Sequence, residues 1–387
     1  MRRVYLDYNS TTPLYPEVVE AMIPYLKEHF GNPANIHYFG RETHEAIENA
    51  RVQVAELINA SPEEIFFTSG GTEADNWAIK GIAYGYKDKG HIISSPIEHH
   101  AVHNTCLYLQ SLGYDITLVN VDSYGVVSPE DIKKAIKKNT ILITIMHSNN
   151  EVGTIQPIQE IAQIAQEAGI CFHTDAVASC GKLNIDVKEL GVNLLSISAH
   201  KIHGPKGVGA LYVKSGTKLE PILHGGHQEQ GMRAGTQNLS GIVGFGKACA
   251  ITKENMANDV EKIKMLRDRL EQEIFKRIPE VHLNGHPEKR LVNTSNFCVG
   301  YIEGEALLVN LDLEGVAVAS GSACTSGSAE PSPVLKAMNV PSEFINSPVR
   351  FSLGRGNTLE EILYVVDVLE KVTKRLRAIS PLWKKRK

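Results

Sequence analysis

The chain has 387 residues, 42% of them hydrophobic and 22% charged, and a formal net charge of -4. It is long enough for two hydrophobic cores, and its balance gives no electrostatic reason to bind a phosphate backbone, which argues against a nucleic-acid partner. No window approaches the apolar length of a membrane span and residues 1–7 lack the stretch of a signal peptide, so the expectation is a cytoplasmic protein with no membrane partner. Six cysteines (Cys106, Cys171, Cys180, Cys249, Cys298 and Cys324) are scattered without a CxxC pair. Most should be reduced thiols packed as small hydrophobes.

In chain order, short β-branched and apolar runs at 65–69, 91–95, 116–121, 141–146, 171–175, 194–198 and 209–213 alternate with amphipathic helical segments such as 74–86, 129–138 and 158–168. That alternation predicts an α/β fold with a largely parallel sheet, whose ligands sit at the C-terminal ends of the strands. After Gly246 the pattern changes to a long charged helix over 255–277, short strands around 293–298, 316–320 and 349–353, and a final helix. The final helix repeats Leu359, Ile362, Leu363, Val366, Leu369, Val372 and Leu376, a stripe that packs one face. We expect a large domain over 13–250 and a smaller α+β domain made of 1–12 and 251–387, with the first residues crossing to the small domain or the cleft.

Three segments carry chemistry. In FFTSGGTEADN (66–76) a strand runs through Ser-Gly-Gly-Thr into a helix, where backbone N–H groups and the positive helix end form a cup for a phosphate. It lacks the GxGxxG and GK[ST] patterns of dinucleotide and P-loop sites, and a tight strand-to-helix turn would explain it equally. In SAHKIHGPKG (198–207) Ser198, His200 and Lys201 follow an apolar strand, as a Schiff base to an aldehyde cofactor requires. Taken alone, Lys201 reads as a solvated loop lysine. In HTDA (173–176) Asp175 ends a strand of the same sheet, where a carboxylate can pair with a protonated pyridine nitrogen or simply cap a turn. Cup, lysine and aspartate at three strand ends together point to pyridoxal 5'-phosphate.

At this point the sequence resembles the cysteine desulfurases of the iron-sulfur assembly type, within the fold type I pyridoxal-phosphate enzymes. The resemblance runs through YLDYNSTTP (5–13), GNPANIH (31–37), FTSGGTEADN, EHHAV (98–102), HSNNEVGT (147–154), HTDAV, SAHKIHGPKG, GMRAGTQN (231–238), SGSACTSGSAEPS (320–332) and RFSLGR (350–355). It implies that Gly71, Thr72, Ser198 and His200 hold the phosphate, that Lys201 carries the cofactor, and that Asp175 pairs with its ring. It implies that His99 stacks on the ring and assists proton transfer, and that Asn150 contacts the ring oxygen or the substrate. Arg350 would clamp the substrate carboxylate, a role suited to its planar fork. Thr236 would reach the phosphate of the neighbouring subunit, which makes the protein a homodimer.

The implied reaction takes sulfur from L-cysteine, with Lys201 as base and Cys324 as nucleophile, and yields L-alanine and a Cys324 persulfide. The sulfur then goes to an iron-sulfur scaffold protein or another acceptor. A selenocysteine lyase shares all these parts, and an aminotransferase would share all but Cys324. The pairs His200/His203 and His224/His227 lack a Cys or carboxylate to complete a site, so no intrinsic metal is expected; Cys324 would meet iron only through a cluster shared with a scaffold. Two positions depart from the family pattern: Ala178 stands where Gln is usual, and Gln230 where Arg is usual. The tail 381–387, with Trp383 before Lys384, Lys385, Arg386 and Lys387, reads from composition as frayed and solvated, whereas the resemblance implies docking of a scaffold.

Overall fold

The computed structural model describes residues 2–321 and 331–385. A short strand β1 (Val4–Tyr5) is followed by the seven strands of the main sheet: β2 (Ile65–Thr68), β3 (His91–Ser94), β4 (Asp115–Leu118), β5 (Thr140–Thr144), β6 (Cys171–Asp175), β7 (Leu194–Ser198) and β8 (Gly209–Val213). Their order is β2-β8-β7-β6-β5-β3-β4. β8 is antiparallel to both neighbours and every other pair is parallel. Helices cover both faces, so the central strands β7 and β8 are buried at every residue rather than at alternate ones. The parallel strands all deliver their C-terminal ends to one edge, and that edge carries Asp175 and Ser198.

Strands β6, β7 and β8 have the bounds read from sequence, while other elements are shifted. The helix expected from residue 74 begins at Gly71 (Gly71–Tyr84), so Gly71 opens its first turn and Gly70 is its N-cap. The one expected over 129–138 stops at Ala135, and the strand expected over 116–121 stops at Leu118.

The largest difference is the helix Leu239–Arg277, which runs for 39 residues and starts 16 residues before the expected 255. Gly241, Gly244 and Gly246 break the apolar period in sequence, yet in the fold they allow close packing. A Cβ on Gly246 would stand 2.6 Å from the Ala50 Cα in the helix Tyr38–Leu57. The first part of this long helix (Ile242, Phe245, Ala248) lies in the main core, and its later part (Ile263, Leu266, Leu270, Ile274) lies in a second core.

That second core sits under a three-stranded antiparallel sheet, ordered β12-β10-β9, of β9 (Val281–Asn284), β10 (Thr294–Val299) and β12 (Pro348–Ser352); β11 (Val316–Ala317) pairs in parallel with β1. The helix Leu359–Ile379 closes it, opened by a capping box in which Thr358 and Glu361 satisfy each other's backbone donors. Its buried face contains Ile362, Val365, Val366, Val368, Leu369 and Val372. Leu359, the first residue of the expected stripe, is 49% exposed, because it opens the helix ahead of the first buried turn. The tail is packed rather than frayed up to Trp383: Pro381–Lys385 is helical, and the Trp383 ring meets Tyr301 edge-on at 5.6 Å and Arg377 at 4.5 Å. No helix among the described residues is long and apolar enough to cross a membrane.

Candidate active site

At the C-terminal edge of β6 and β7 lies a cavity of about 520 Å³. Gly71, Thr72, His99, Asn150, Asp175, Ser198, His200, Lys201 and Arg350, nine of the residues singled out from sequence, all line it. Thr236 does not; it is exposed and outside the wall of this chain's own cavity. Cys324 lies outside the described residues. The chain on either side of that stretch does reach the cavity, through the Gly321 carbonyl that accepts from Arg350 and through Pro333 and Val334 in the wall.

The cup is built by the step from β2 into the helix Gly71–Tyr84. Gly70 has φ 151°, a conformation L side chains rarely adopt, and it turns the chain so that the first helical N–H groups, which have no intrahelical partner, face the cavity. Ser198 Oγ lies buried beside this turn with no hydrogen-bond partner among the described residues. A Cβ on Gly71 would come within 2.7 Å of Val177 Cγ2, so this approach needs glycine. An orphaned hydroxyl beside a helix N-terminus of 14 residues is the donor set that a phosphate group completes. The residues present therefore fit the phosphate of pyridoxal phosphate.

Lys201 follows β7 in a turn of 3-10 helix, Ala199–Lys201. Its Nζ donates to the Asn9 carbonyl and to the Ser10 carbonyl at 2.9 Å. Burial, with Lys182 and Arg350 nearby, brings its pKa down to about 8, so far more of it is neutral near pH 7 than of a free lysine. His200 holds Thr11 Oγ1 at 3.2 Å and is kept neutral, with its pKa down to about 4, chiefly by burial. It can hydrogen-bond an anion but adds no charge.

His99 is the N-cap of the helix His100–Ser111, where its Nδ1 accepts from the Ala101 amide at 3.1 Å. The neutral ring therefore carries its proton on Nε2, and burial holds the pKa below the usual histidine value. Asp175 ends β6 and accepts from the Val177 amide at 2.8 Å. Burial raises its pKa, while His99 and Lys201 favour its charged form. The Asn150 carbonyl receives Arg350 Nη1 at 3.0 Å and Asn9 Nδ2 at 3.1 Å.

Arg350 projects from β12 and is 2% exposed. Its Nη2 binds Asp7 at 2.7 Å and Ser10 Oγ at 3.0 Å, whereas its Nε has no partner among the described residues. Ala178 puts only a methyl group into the wall; its carbonyl accepts from Lys182 Nζ at 2.9 Å. Gln230 lies in a left-handed turn (φ 58°) between Glu229 and Gly231. That turn is held by the buried Arg51–Glu229 pair at 2.7 Å, and the Glu229 carboxylate also accepts from the Phe67 amide at 2.9 Å.

Sequence chemistry missed Asp75, Glu98 and the segment Asp7 to Ser10, all in the cavity or against it. Asp75 carried a readable signal, since it stands on the inward stripe of its helix with Ala78, Ile79 and Ile82. Glu98 is buried, takes hydrogen bonds from Ser95 and Met146 N, and is pushed up to about 8 by burial. Donor atoms of Asp75, His99 and Asp175 lie within 4.8 Å of one another, a spacing that a metal ion could bridge. This trio is distinct from the histidine pairs weighed in the sequence.

A mainly parallel sheet with a phosphate cup, a lysine and an aspartate at its strand ends defines a pyridoxal-phosphate-type enzyme. The chain belongs to the class V aminotransferase family, whose description, Aminotransferase class-V, matches residues 4–365. Its relatives narrow the class further. A protein named cysteine desulfurase IscS from Dictyoglomus turgidum is 56% identical over 381 residues, covering 98% of this chain and 97% of the relative. One of the same name from Methanosarcina thermophila is 52% identical over 382 residues, covering 98% and 94%. Among solved structures, a NifS-like protein superposes with a TM-score of 0.91 at 38% identity, covering 97% of this chain and 100% of its own. A structure described as SspA in complex with cysteine gives 0.81 at 37%, covering 92% and 100%.

Proposed function

We propose that this chain is a pyridoxal-phosphate-dependent cysteine desulfurase, converting L-cysteine to L-alanine and leaving a persulfide on Cys324. The observation that carries the reading is the convergence of Ser198, Lys201, Asp175 and the first turn of Gly71–Tyr84 on one cavity, in a chain whose full-length relatives bear that name.

Gly71, Thr72, Ser198 and His200 would hold the cofactor's phosphate, Lys201 its aldehyde carbon and Asp175 its ring nitrogen. Bound there, the cofactor supplies an electron sink that acidifies the substrate's Cα–H bond. Lys201, with a lowered pKa, is suited to take that proton and return it. His99, a neutral imidazole whose Nε2–H can donate, would cover the ring, and Asn150 in the same cavity wall would contact the ring oxygen or the substrate. Arg350 would bind the substrate carboxylate through its Nε, which has no partner among the described residues, and through Nη2 by exchange with Asp7 and Ser10. The Cys324 thiolate then attacks the substrate sulfur: an S–S bond forms, the C–S bond breaks with its electron pair passing to the carbon skeleton, and protonation completes alanine. Atoms balance, since one cysteine plus one protein thiol give alanine plus a persulfide.

We divide the chain into a cofactor-binding domain of 13–250 and a smaller domain of 1–12 and 251–387. A homodimer is supported by the exposed position of Thr236, which is free to serve a second copy. It is supported also by the exposed apolar side chains Phe30, Ile36 and Tyr38. The sulfur acceptor is an iron-sulfur scaffold protein or another acceptor, a reading that rests on the motif resemblance, and the basic end beyond Trp383 is its docking element. The test is direct: purified protein should absorb in the visible and release alanine and sulfide from L-cysteine with a reductant. A protein that stays colourless with added cofactor, or forms no alanine, would refute the proposal.

A further inference from the structure

Asp75 has no task in the scheme above. It is 1% exposed, and its Oδ1 has no hydrogen-bond partner among the described residues. That oxygen lies 3.6 Å from His173 Nε2, but His173 is held between the Thr144 and Ser196 hydroxyls at 2.8 and 3.0 Å and is kept neutral by burial, its pKa down at about 3. Asp75, His99 and Asp175 meet within 4.8 Å. Two carboxyls this close in a dry site do not both ionise; the one facing positive charge keeps the negative charge and the other keeps a proton.

The surroundings decide which is which. Asp175 faces Lys201 and His99. Around Asp75, β6 contributes neutral His173 and Asp175 itself, β7 contributes Ser196, and the chain before His100–Ser111 contributes Glu98 and His99. On its own helix, Glu73 is turned away to Arg233 at 2.8 Å and to the Ser69 amide at 2.7 Å. Burial, and then Asp175, favour the protonated form of Asp75.

We infer that Asp75 is a neutral, proton-bearing carboxyl and the positioning residue for Asp175, to which it leaves the single negative charge that faces the cofactor's ring nitrogen. The inference rests on the pyridoxal-phosphate reading, and two measurements separate their fates. Infrared difference spectra of the cofactor-free protein at neutral pH, wild type minus Asp75→Asn, should contain a carboxylic-acid carbonyl band lost in the variant; loss of a carboxylate band instead overturns the inference whether or not cofactor binds. On the loaded protein, Asp75→Asn keeps a neutral polar group and should hold the cofactor dissociation constant within about twofold and leave the pH midpoint of the visible band in place. Asp75→Ala should weaken cofactor binding about tenfold and move that midpoint. An Asn variant that behaves like Ala would mean the charge is needed, and an Ala variant that behaves like wild type would mean no positioning role; either result overturns the inference. Failure of wild type to bind cofactor at all would refute the parent reading, while the infrared arm would still decide the state of Asp75.

Discussion

Asp7 and Arg350, 343 residues apart in sequence, form an ion pair of 2.7 Å at the wall of the cavity. The pair draws the chain after β1 against β12, and the same guanidinium holds Ser10 and the Asn150 carbonyl. A lysine at this position would keep the charge but lose the planar fork. Arg350→Lys should therefore raise the KM for L-cysteine about tenfold, worth about 1.4 kcal/mol, with cofactor affinity changed less than about twofold. Steady-state kinetics beside a cofactor titration checks this, and an unchanged KM would remove Arg350 from substrate binding.

Lys182 sets a second expectation. It is one of the causes that lower the Lys201 pKa, after burial, and its Nζ is fixed on the Ala178 carbonyl. A neighbouring positive charge disfavours the protonated form of Lys201, so removing it must raise that pKa. The rate at which cofactor-free protein captures added pyridoxal phosphate follows the neutral amine and should climb with pH through a midpoint near 8. Lys182→Met should move that midpoint upward and slow capture at pH 7.5; a midpoint that stays in place would show that Lys182 does not act on Lys201. Borohydride reduction and peptide mapping should place the captured cofactor on Lys201 in both proteins.

The methyl group of Ala178 stands in the cavity wall where the family pattern has an amide. Ala178→Gln adds a donor without disturbing the backbone carbonyl that Lys182 uses. One added hydrogen bond of about 1 kcal/mol should tighten cofactor binding about fivefold. Equilibrium dialysis and the pH titration of the visible band read it, and a variant identical to wild type in both would show that another group already fills this role.

Thiol chemistry separates Cys324 from its companions. Burial pushes Cys106, Cys171, Cys180 and Cys298 up to about 12 and Cys249 well above its usual value. At pH 7 a thiol of pKa 12 is ionised in only about one molecule in 100,000. Iodoacetamide at neutral pH should thus label Cys324 well before the other five. Cys324→Ala should still bind cofactor and L-cysteine but produce neither persulfide nor alanine. Persulfide found by mass spectrometry on Cys171, Cys180 or Cys298 would defeat the mechanism.

Much of the frame was legible because its signals are local. The runs 171–175, 194–198 and 209–213 each carry a cluster of apolar residues (Phe172; Leu194, Leu195 and Ile197; Leu211 and Val213) and fold with the limits read from sequence. The motif residues after β6 and β7 fall in the cavity because a parallel sheet brings strand ends together. What stayed hidden depends on tertiary contact. Gly244 and Gly246 read as breaks although they are the points where two helices touch. Asp75 was quoted within its motif yet passed over, since its meaning comes from His173, Asp175 and His99 on other elements. The Arg51–Glu229 pair spans 178 residues and leaves no periodic trace.

The helix Leu239–Arg277 extends for about 58 Å at 1.5 Å per residue, and side chains from its two parts belong to different cores. Such an element acts as a shared axle. Loosening either core frees one part of it and withdraws support from the other, so heat should melt both cores in a single transition rather than in sequence. The same geometry makes residue 250 a poor place to cut the gene. Fragments joined there would each inherit a stump of this helix with its apolar side uncovered, and would recover structure only when expressed together.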